Sequence, residues 1–349
     1  MSTNAKKSDS TATAEKDQKK AGDAQQKPSS SSQQQPSDDS SKRKEPDKQS
    51  KYRVMYTAKD PRYPTYVIID KLYLPMDVDV KSFSFAVSYR PSKDDIIVIS
   101  YPKCGGVWVA QIVYLLLNNC IPLQDGDSFS RAVPVLEQEG QTLIKDRGGD
   151  REPKVVRTHL PYHKMRINPM AKYIYITRNP KDSCVALYDY ILANTTVFRF
   201  KDGNFDNFFE WFIRGKVCYN DYFAHIVPYW LHRKDCHVLF CTYENMTLDH
   251  KSHIIMIANF IGGVAGTMVR ERHMLKRLIS RSSFAFMYKM YRDHAQLGNM
   301  SRGRIGEWKN WMTPAQASRV DQEFHKRFGT SEIANLWRYI VRFPKPEEK

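Results

Sequence analysis

The first fifty residues contain no Val, Ile, Leu, Phe, Tyr, Trp or Cys. A stretch this poor in apolar side chains cannot bury enough surface to offset chain entropy. Residues 1–50, rich in Ser, Gln, Lys, Asp and Pro, are therefore expected to form a disordered low-complexity tail, with one folded domain over 51–349. The tail also lacks the apolar core of a signal peptide. No apolar run reaches the about 20 residues needed to cross a bilayer; the best, Val107 to Leu117, is interrupted by Gln111. The six cysteines have no CxxC spacing, which argues against a disulfide framework or a zinc site. His232, Cys236, His237 and Cys241 lie close together, but they fit a loop entering a strand better than a metal site. These absences point to a cytoplasmic chain with no membrane partner and no metal.

Positive charge, by contrast, is abundant. The chain carries a formal +16, of which the tail's 10 Lys and Arg against 8 Asp and Glu account for only +2. Such an excess favours an acidic partner: nucleic acid, membrane headgroups or a polyanionic small molecule. Simple colloidal solubility explains it about as well. No nucleic-acid motif accompanies the charge, so nucleic acid is not the expected partner.

Ile96-Ile97-Val98-Ile99-Ser100 reads as a buried parallel strand. The loop 101–106 follows, and then a helical pattern from about Val107 to Asn119. Further short strands are expected at Lys154–Thr158, Tyr173–Thr177 and Val238–Tyr243. Asn179-Pro180-Lys181-Asp182 combines a favoured N-cap, a favoured first residue and a first-turn acid, so a helix should run from Pro180 to about Leu192. Another helix, across 249–261, should stop at Gly262-Gly263. Strands alternate with helices, which predicts an α/β fold: a single domain with a central, mostly parallel sheet flanked by helices. In such sheets ligands bind beyond the carboxyl ends of the strands. The loop 101–106, His159, Arg178 and Tyr243 all fall at that end.

The chemistry of these positions is anion binding and proton transfer. A strand, a Gly-rich turn and a helix start aim backbone N–H groups at one spot, where the helix dipole also favours negative charge. Gly105 and Gly106 allow close approach, and Lys103 adds a full charge. The loop is P-loop-like without matching GxxxxGK[ST], because the Lys precedes the glycines and no hydroxyl follows to hold magnesium. Arg178 stands beside a capped helix start and fits a second phosphate; it fits a surface pair with Asp182 about equally well. A lone His is more often structural than catalytic, yet His159 at a strand end near an anion site suits a general base. Arg302-Gly303-Arg304 reads either as a basic lid or as a solvated turn.

Together these motifs resemble the cytosolic sulfotransferases. Tyr101-Pro102-Lys103 with Gly105 and Trp108 is similar to the family's YPKSGTTW, and Arg157-Thr158-His159-Leu160-Pro161 to KTHLP. Arg178-Asn179-Pro180-Lys181-Asp182 is similar to RNPKD, and Tyr243-Glu244-Asn245-Met246 to YEDM. Arg302-Gly303 with Gly306-Glu307-Trp308-Lys309-Asn310 is similar to RKGxxGDWKN. Order and approximate spacing agree from about 94 to 325. The resemblance implies sulfuryl transfer from 3′-phosphoadenosine 5′-phosphosulfate to a hydroxyl or amine of a small molecule, with no metal. It makes His159 the general base and places Lys103 on the phosphosulfate and its bridging oxygen. Arg157, standing where the family has Lys, would hold the acceptor or the sulfuryl oxygens. The loop from Lys103 through Cys104, Gly105, Gly106 and Val107 would cradle the 5′-phosphate. Arg178, Ala186, Ser301, Arg302 and Gly303 would face the 3′-phosphate. Trp108 and Phe284 would sandwich the adenine, with Tyr243, Ser282 and Met300 around it. Val135 and Tyr190 would line the acceptor pocket.

The departures from the family pattern concentrate on the donor. Gly106 and Val107 replace two Thr, Cys104 replaces Ser, Ala186 replaces Ser and Ser301 replaces Arg. A hydrogen bond to a charged group is worth roughly 1.5–3 kcal/mol, so donor binding should be weakened while the backbone donors survive. The alternative is a catalytically weak or inactive relative that binds nucleotide or ligand without turnover. In the family's dimer segment, KxxxTVxxxE, Lys309 and Thr313 remain but Pro314 and Ser318 replace Val and Glu. That dimer is therefore not expected, and the chain is read as a monomer or dimer.

Overall fold

A computed structural model of the chain describes residues 52–57, 60–145, 155–294 and 303–338. The tail expected at 1–50 lies outside these residues. A small antiparallel sheet comes first, with β1 (Val54–Tyr56), β2 (Val67–Ile69) and β3 (Leu72–Leu74) paired in that order. Asp70 and Lys71 both take positive φ, +50° and +64°, and form the two-residue turn from β2 to β3. That twist matches paired strands, but Asp-Lys lacks the Asn-Gly signature that would have announced it.

The main sheet is parallel and ordered β5-β4-β6-β7. Its strands are β4 (Ile96–Ser100), β5 (Val155–Thr158), β6 (Lys172–Thr177) and β7 (Val238–Thr242). All five residues of β4 are buried, because helices cover both faces of the sheet. Alternation along the strands sends Ile97, Ile99, Tyr173 and Tyr175 into one core cluster. It sends Ile96, Val98, Ile174 and Ile176 into the other. Helices Gly106–Leu117 and His250–Ile261 pack on the second face. Helices Pro180–Ala193, Phe205–Ile213 and Tyr222–Leu231 pack on the first, which is rich in aromatic rings. The α/β expectation is borne out, and the main-sheet strands agree to within a residue over the described positions.

Two boundaries differ. Tyr243 does not end β7 but starts the short helix Tyr243–Leu248, because Thr242 caps it by accepting the Asn245 N–H at 3.3 Å. Gly262, at φ +78°, ends one helix, yet Gly263–Met268 is helical again. Thr313 and Pro314 have a local explanation. Thr313 is the N-cap of helix Pro314–Phe328, with a capping box to Gln316, and Pro314 sits at the first position, where a missing N–H costs nothing.

The start of helix Pro180–Ala193 is buried, so its polar groups need partners. The Asn179 side chain accepts the Asp182 N–H at 2.9 Å. The Asp182 carboxylate accepts the Gly306 N–H at 2.8 Å, the Trp308 N–H at 3.0 Å and the Asn179 amide at 2.7 Å. Replacing it orphans two backbone donors from a distant segment. Asp182→Ala is expected to lower unfolding free energy by about 3 kcal/mol in urea titration. An unchanged midpoint would show that this carboxylate does not hold the two segments together.

Candidate active site

All four parallel strands end on a hydroxyl residue, Ser100, Thr158, Thr177 and Thr242. Lys103, His159, Arg178 and Tyr243 follow closely on these ends and line one cavity of about 330 Å³. The positions that the sequence placed on one rim are thus brought together.

The loop after β4 is shaped by its backbone. Gly105 has φ +106° and caps helix Gly106–Leu117. A Cβ there would lie 2.9 Å from Ile176 Cδ1 and 3.0 Å from Tyr243 Cδ2, so only glycine fits. The first amides of a helix have no intrahelical acceptor, and Gly105, Gly106, Val107 and Trp108 all border the cavity. The Cys104 side chain turns the other way. It is fully buried with Sγ 3.3 Å from Ser183 Oγ, and burial pushes its thiol up to about 12. A Cβ at Gly106 would lie 2.5 Å from Ser100 Oγ. A threonine at 106 thus requires Ser100 to rotate, whereas Val107 carries no such conflict.

His159 is held from both sides. Its Nδ1 lies 2.7 Å from the Ser100 carbonyl oxygen. A carbonyl only accepts, so Nδ1 carries the proton and Nε2 keeps its lone pair. The backbone N–H of His159 donates to Glu137 Oε1 at 2.7 Å, and Thr158 Oγ donates to Glu137 Oε2 at 2.7 Å. Burial, opposed by the Ser100 bond and reinforced by Arg157 and Lys103, lowers the imidazole pKa to about 4. His159 is therefore neutral, and able to take a proton, throughout the physiological range.

The cations surround it. Lys103, at φ +65°, places Nζ 4.9 Å from the centre of the Tyr190 ring. Burial, aided by Arg178, lowers its pKa to about 8, against the opposing pull of Asp189. Arg178 is buried, stacks 4.6 Å from the Tyr243 ring centre and donates to the Arg304 carbonyl at 2.9 Å. Arg157 donates through Nε to the Val133 carbonyl at 2.9 Å, while Val135 forms an isolated bridge to Arg157.

An aromatic slot occupies the β7 side. Trp108 Nε1 donates to the Ser282 carbonyl at 2.8 Å, which fixes the indole next to Tyr243 and His250. Phe284 is 42% exposed and stacks on Tyr288, leaving a face for a planar guest. Gly303 closes in: a Cβ there would lie 3.0 Å from Phe284 and 3.2 Å from the Tyr243 hydroxyl. Ser282 works from behind the wall, with Oγ 3.0 Å from His250 Nε2. Ala186 is buried within its helix and does not border the cavity. Met300, Ser301 and Arg302 lie outside the described residues. Sequence reasoning missed Glu137, Gln138, Tyr219 and His250. No local signal marked Glu137, which is followed by Gln138 and Glu139 in a polar stretch.

A family model described as a sulfotransferase domain matches residues 93–332. The chain belongs to the sulfotransferase family. Sulfotransferase 1B1 of Canis lupus familiaris is 31% identical over 264 residues, covering 70% of this chain and 87% of that protein. The amine sulfotransferase of Oryctolagus cuniculus is 29% identical over 274 residues, covering 74% and 89%. Among solved structures, mouse sulfotransferase SULT7A1 complexed with PAP superposes with a TM-score of 0.63 at 22% identity, covering 78% and 96%. Retinol dehydratase in complex with androsterone and inactive cofactor PAP gives 0.65 at 18%, covering 85% and 99%. These two likenesses are of fold. In this sulfotransferase the His159 ring is expected to titrate near 4 in the free protein when followed by NMR. Titration near the ordinary 6.5 would mean that burial does not keep it neutral.

Proposed function

We propose that the protein transfers a sulfuryl group from 3′-phosphoadenosine 5′-phosphosulfate to the hydroxyl of a small acceptor, a phenol, catechol, monoamine or alcohol. The observation that carries this reading is the Ser100 carbonyl on His159 Nδ1, which leaves Nε2 as a base beside Lys103 at the end of an aromatic, cationic cavity. The residues present fit the donor: backbone amides and Lys103 for the phosphosulfate, Arg178 for the 3′-phosphate, and Trp108 with Phe284 for the base. When bound, the donor supplies the sulfuryl group for in-line displacement. His159 Nε2 accepts the proton of the acceptor hydroxyl as that oxygen attacks. Lys103 stabilises charge on the departing oxygen, and the rigid loop holds the reacting atoms in line. Six free cysteines, five of them buried, fit the cytoplasmic placement we favour.

A second reading, nucleotide binding without turnover, is favoured by the missing hydroxyls at Gly106 and Val107. Labelled-sulfate transfer over a panel of phenols, catechols, monoamines and steroids separates the two. Wild type is expected to transfer, and His159→Ala to lose at least about a hundredfold in kcat. Tight binding of 3′-phosphoadenosine 5′-phosphate without transfer to any acceptor would favour the binding module instead. The pH profile follows from the ring and amine just described. Below about 4 His159 is protonated and cannot accept, and above about 8 Lys103 loses its charge. The free-enzyme profile of kcat/KM for the donor is expected to be a bell between these limits. An acid limb at 6.5 would argue against the buried base.

A further inference from the structure

The cavity extends from Tyr243, past β7, to Arg157 on the opposite edge strand, β5. Its β5 side is bounded by Arg157, Val135, Gln138, Tyr190, Tyr219 and Cys218. The walls are therefore largely apolar and aromatic, with a single guanidinium. Arg157 is 6% exposed. It is tethered through Nε to the Val133 carbonyl and lies 5.4 Å from the centre of the Phe129 ring. Its Nη2 is buried and has no hydrogen-bond partner among the described residues. An orphaned N–H on a buried cation is costly, and most such groups in folded proteins find an acceptor.

The neighbouring acids do not fill that role. Glu139 acts on Arg157 through space, but its Oε2 accepts the Val135 N–H at 3.0 Å. Glu137 is committed to Thr158 and His159. Asp189 acts on Lys103, and Asp77, which hydrogen-bonds Gln138, acts on Tyr190. Among the described residues no Asp or Glu borders the cavity. An ammonium entering here meets Lys103, Arg157 and Arg178 with no facing carboxylate. A carboxylate meets the Arg157 guanidinium, which borders the cavity and whose charge no side-chain carboxylate hydrogen-bonds among the described residues.

We propose that the protein selects hydroxyaryl acceptors that carry a carboxylate, which pairs with Arg157, and discriminates against those that carry an ammonium. This rests on the sulfuryl-transfer reading and narrows it. Lys103 and Arg178 remain for the donor, and Arg157, on the edge strand, serves the acceptor. The position that the family pattern fills with Lys becomes a planar fork suited to a carboxylate.

Three para-substituted phenols test it: 3-(4-hydroxyphenyl)propionate, 4-propylphenol and tyramine. Transfer is measured as kcat/KM, and binding by calorimetry on protein saturated with 3′-phosphoadenosine 5′-phosphate. Wild type is expected to prefer the propionate over tyramine by about 10- to 100-fold. Arg157→Gln should bring that ratio close to one, and Arg157→Lys should retain part of it. Equal use of tyramine and the propionate overturns the proposal. So does an Arg157→Gln loss that is uniform across the three phenols, since that pattern assigns the guanidinium to the sulfuryl oxygens. If no phenol is sulfated but calorimetry shows the same order of binding, the pocket's selectivity stands and the transfer reading fails. If none of the three binds, the selectivity fails.

Discussion

Parallel pairing of four short strands is the constraint on which the site depends. Ile99 opposes Thr158, Ser100 opposes Ile176 and Thr177 opposes Thr242. These pairs bring four strand ends to nearly one level, and the loop, His159, Arg178 and Tyr243 follow within a few residues. A slip of one position would turn every core side chain to the wrong face. The buried Ile, Val and Tyr of both clusters therefore fix the register, and the register fixes the site. The terminal hydroxyls serve local ends: Thr158 reaches Glu137, Thr242 caps a helix and Ser100 lies beside the His159 ring.

Behind the rim a buried polar network ties the Arg178 side of the cavity to the C-terminal segment. Glu244 accepts the Asn179 backbone N–H and the Trp337 indole N–H, each at 2.8 Å. Lys181, buried above the Trp308 ring at 4.4 Å, pairs with the half-exposed Asp321 at 2.7 Å. Burial lowers the Lys181 pKa, and the Asp321 carboxylate opposes that shift. Because Asn179, Glu244, Trp337 and Lys181 satisfy one another or Asp321, loosening one end exposes another to an unsatisfied state. The segment from Gly306 onward is thereby held against the same helix start that presents Arg178.

The anion-cradle role proposed for the loop rests on conformation rather than on side chains. Cys104 is part of the core, and the Ser100 hydroxyl occupies the space beside Gly106. What carries it is conformation: Lys103 and Gly105 at positive φ, and a helix start whose first residues border the cavity. Backbone donors depend on shape alone, so substitutions that spare the shape spare those donors.

The strands and the loop–helix junctions were legible because continuous β-branched runs, Asn-Pro and Gly-Gly are local signals. The Asp70-Lys71 turn, the aromatic helices between 205 and 231 and the second helix at Gly263 were not. Their form depends on packing against partners far along the chain. Lys103, His159 and Arg178 could be named from their motifs. Glu137 could not, since its role arises only when the bridge at Val135 brings it under Thr158 and His159. Residue identity and spacing alone determined the family, the α/β architecture and the placing of Lys103 and Arg178 on one rim. Only the tertiary structure decided which nitrogen of His159 is free, that Cys104 faces inward and that the Arg157 guanidinium keeps an unmet N–H. Each of these depends on which carbonyl, carboxylate or ring lies within about 3 to 5 Å, and sequence distance does not encode that.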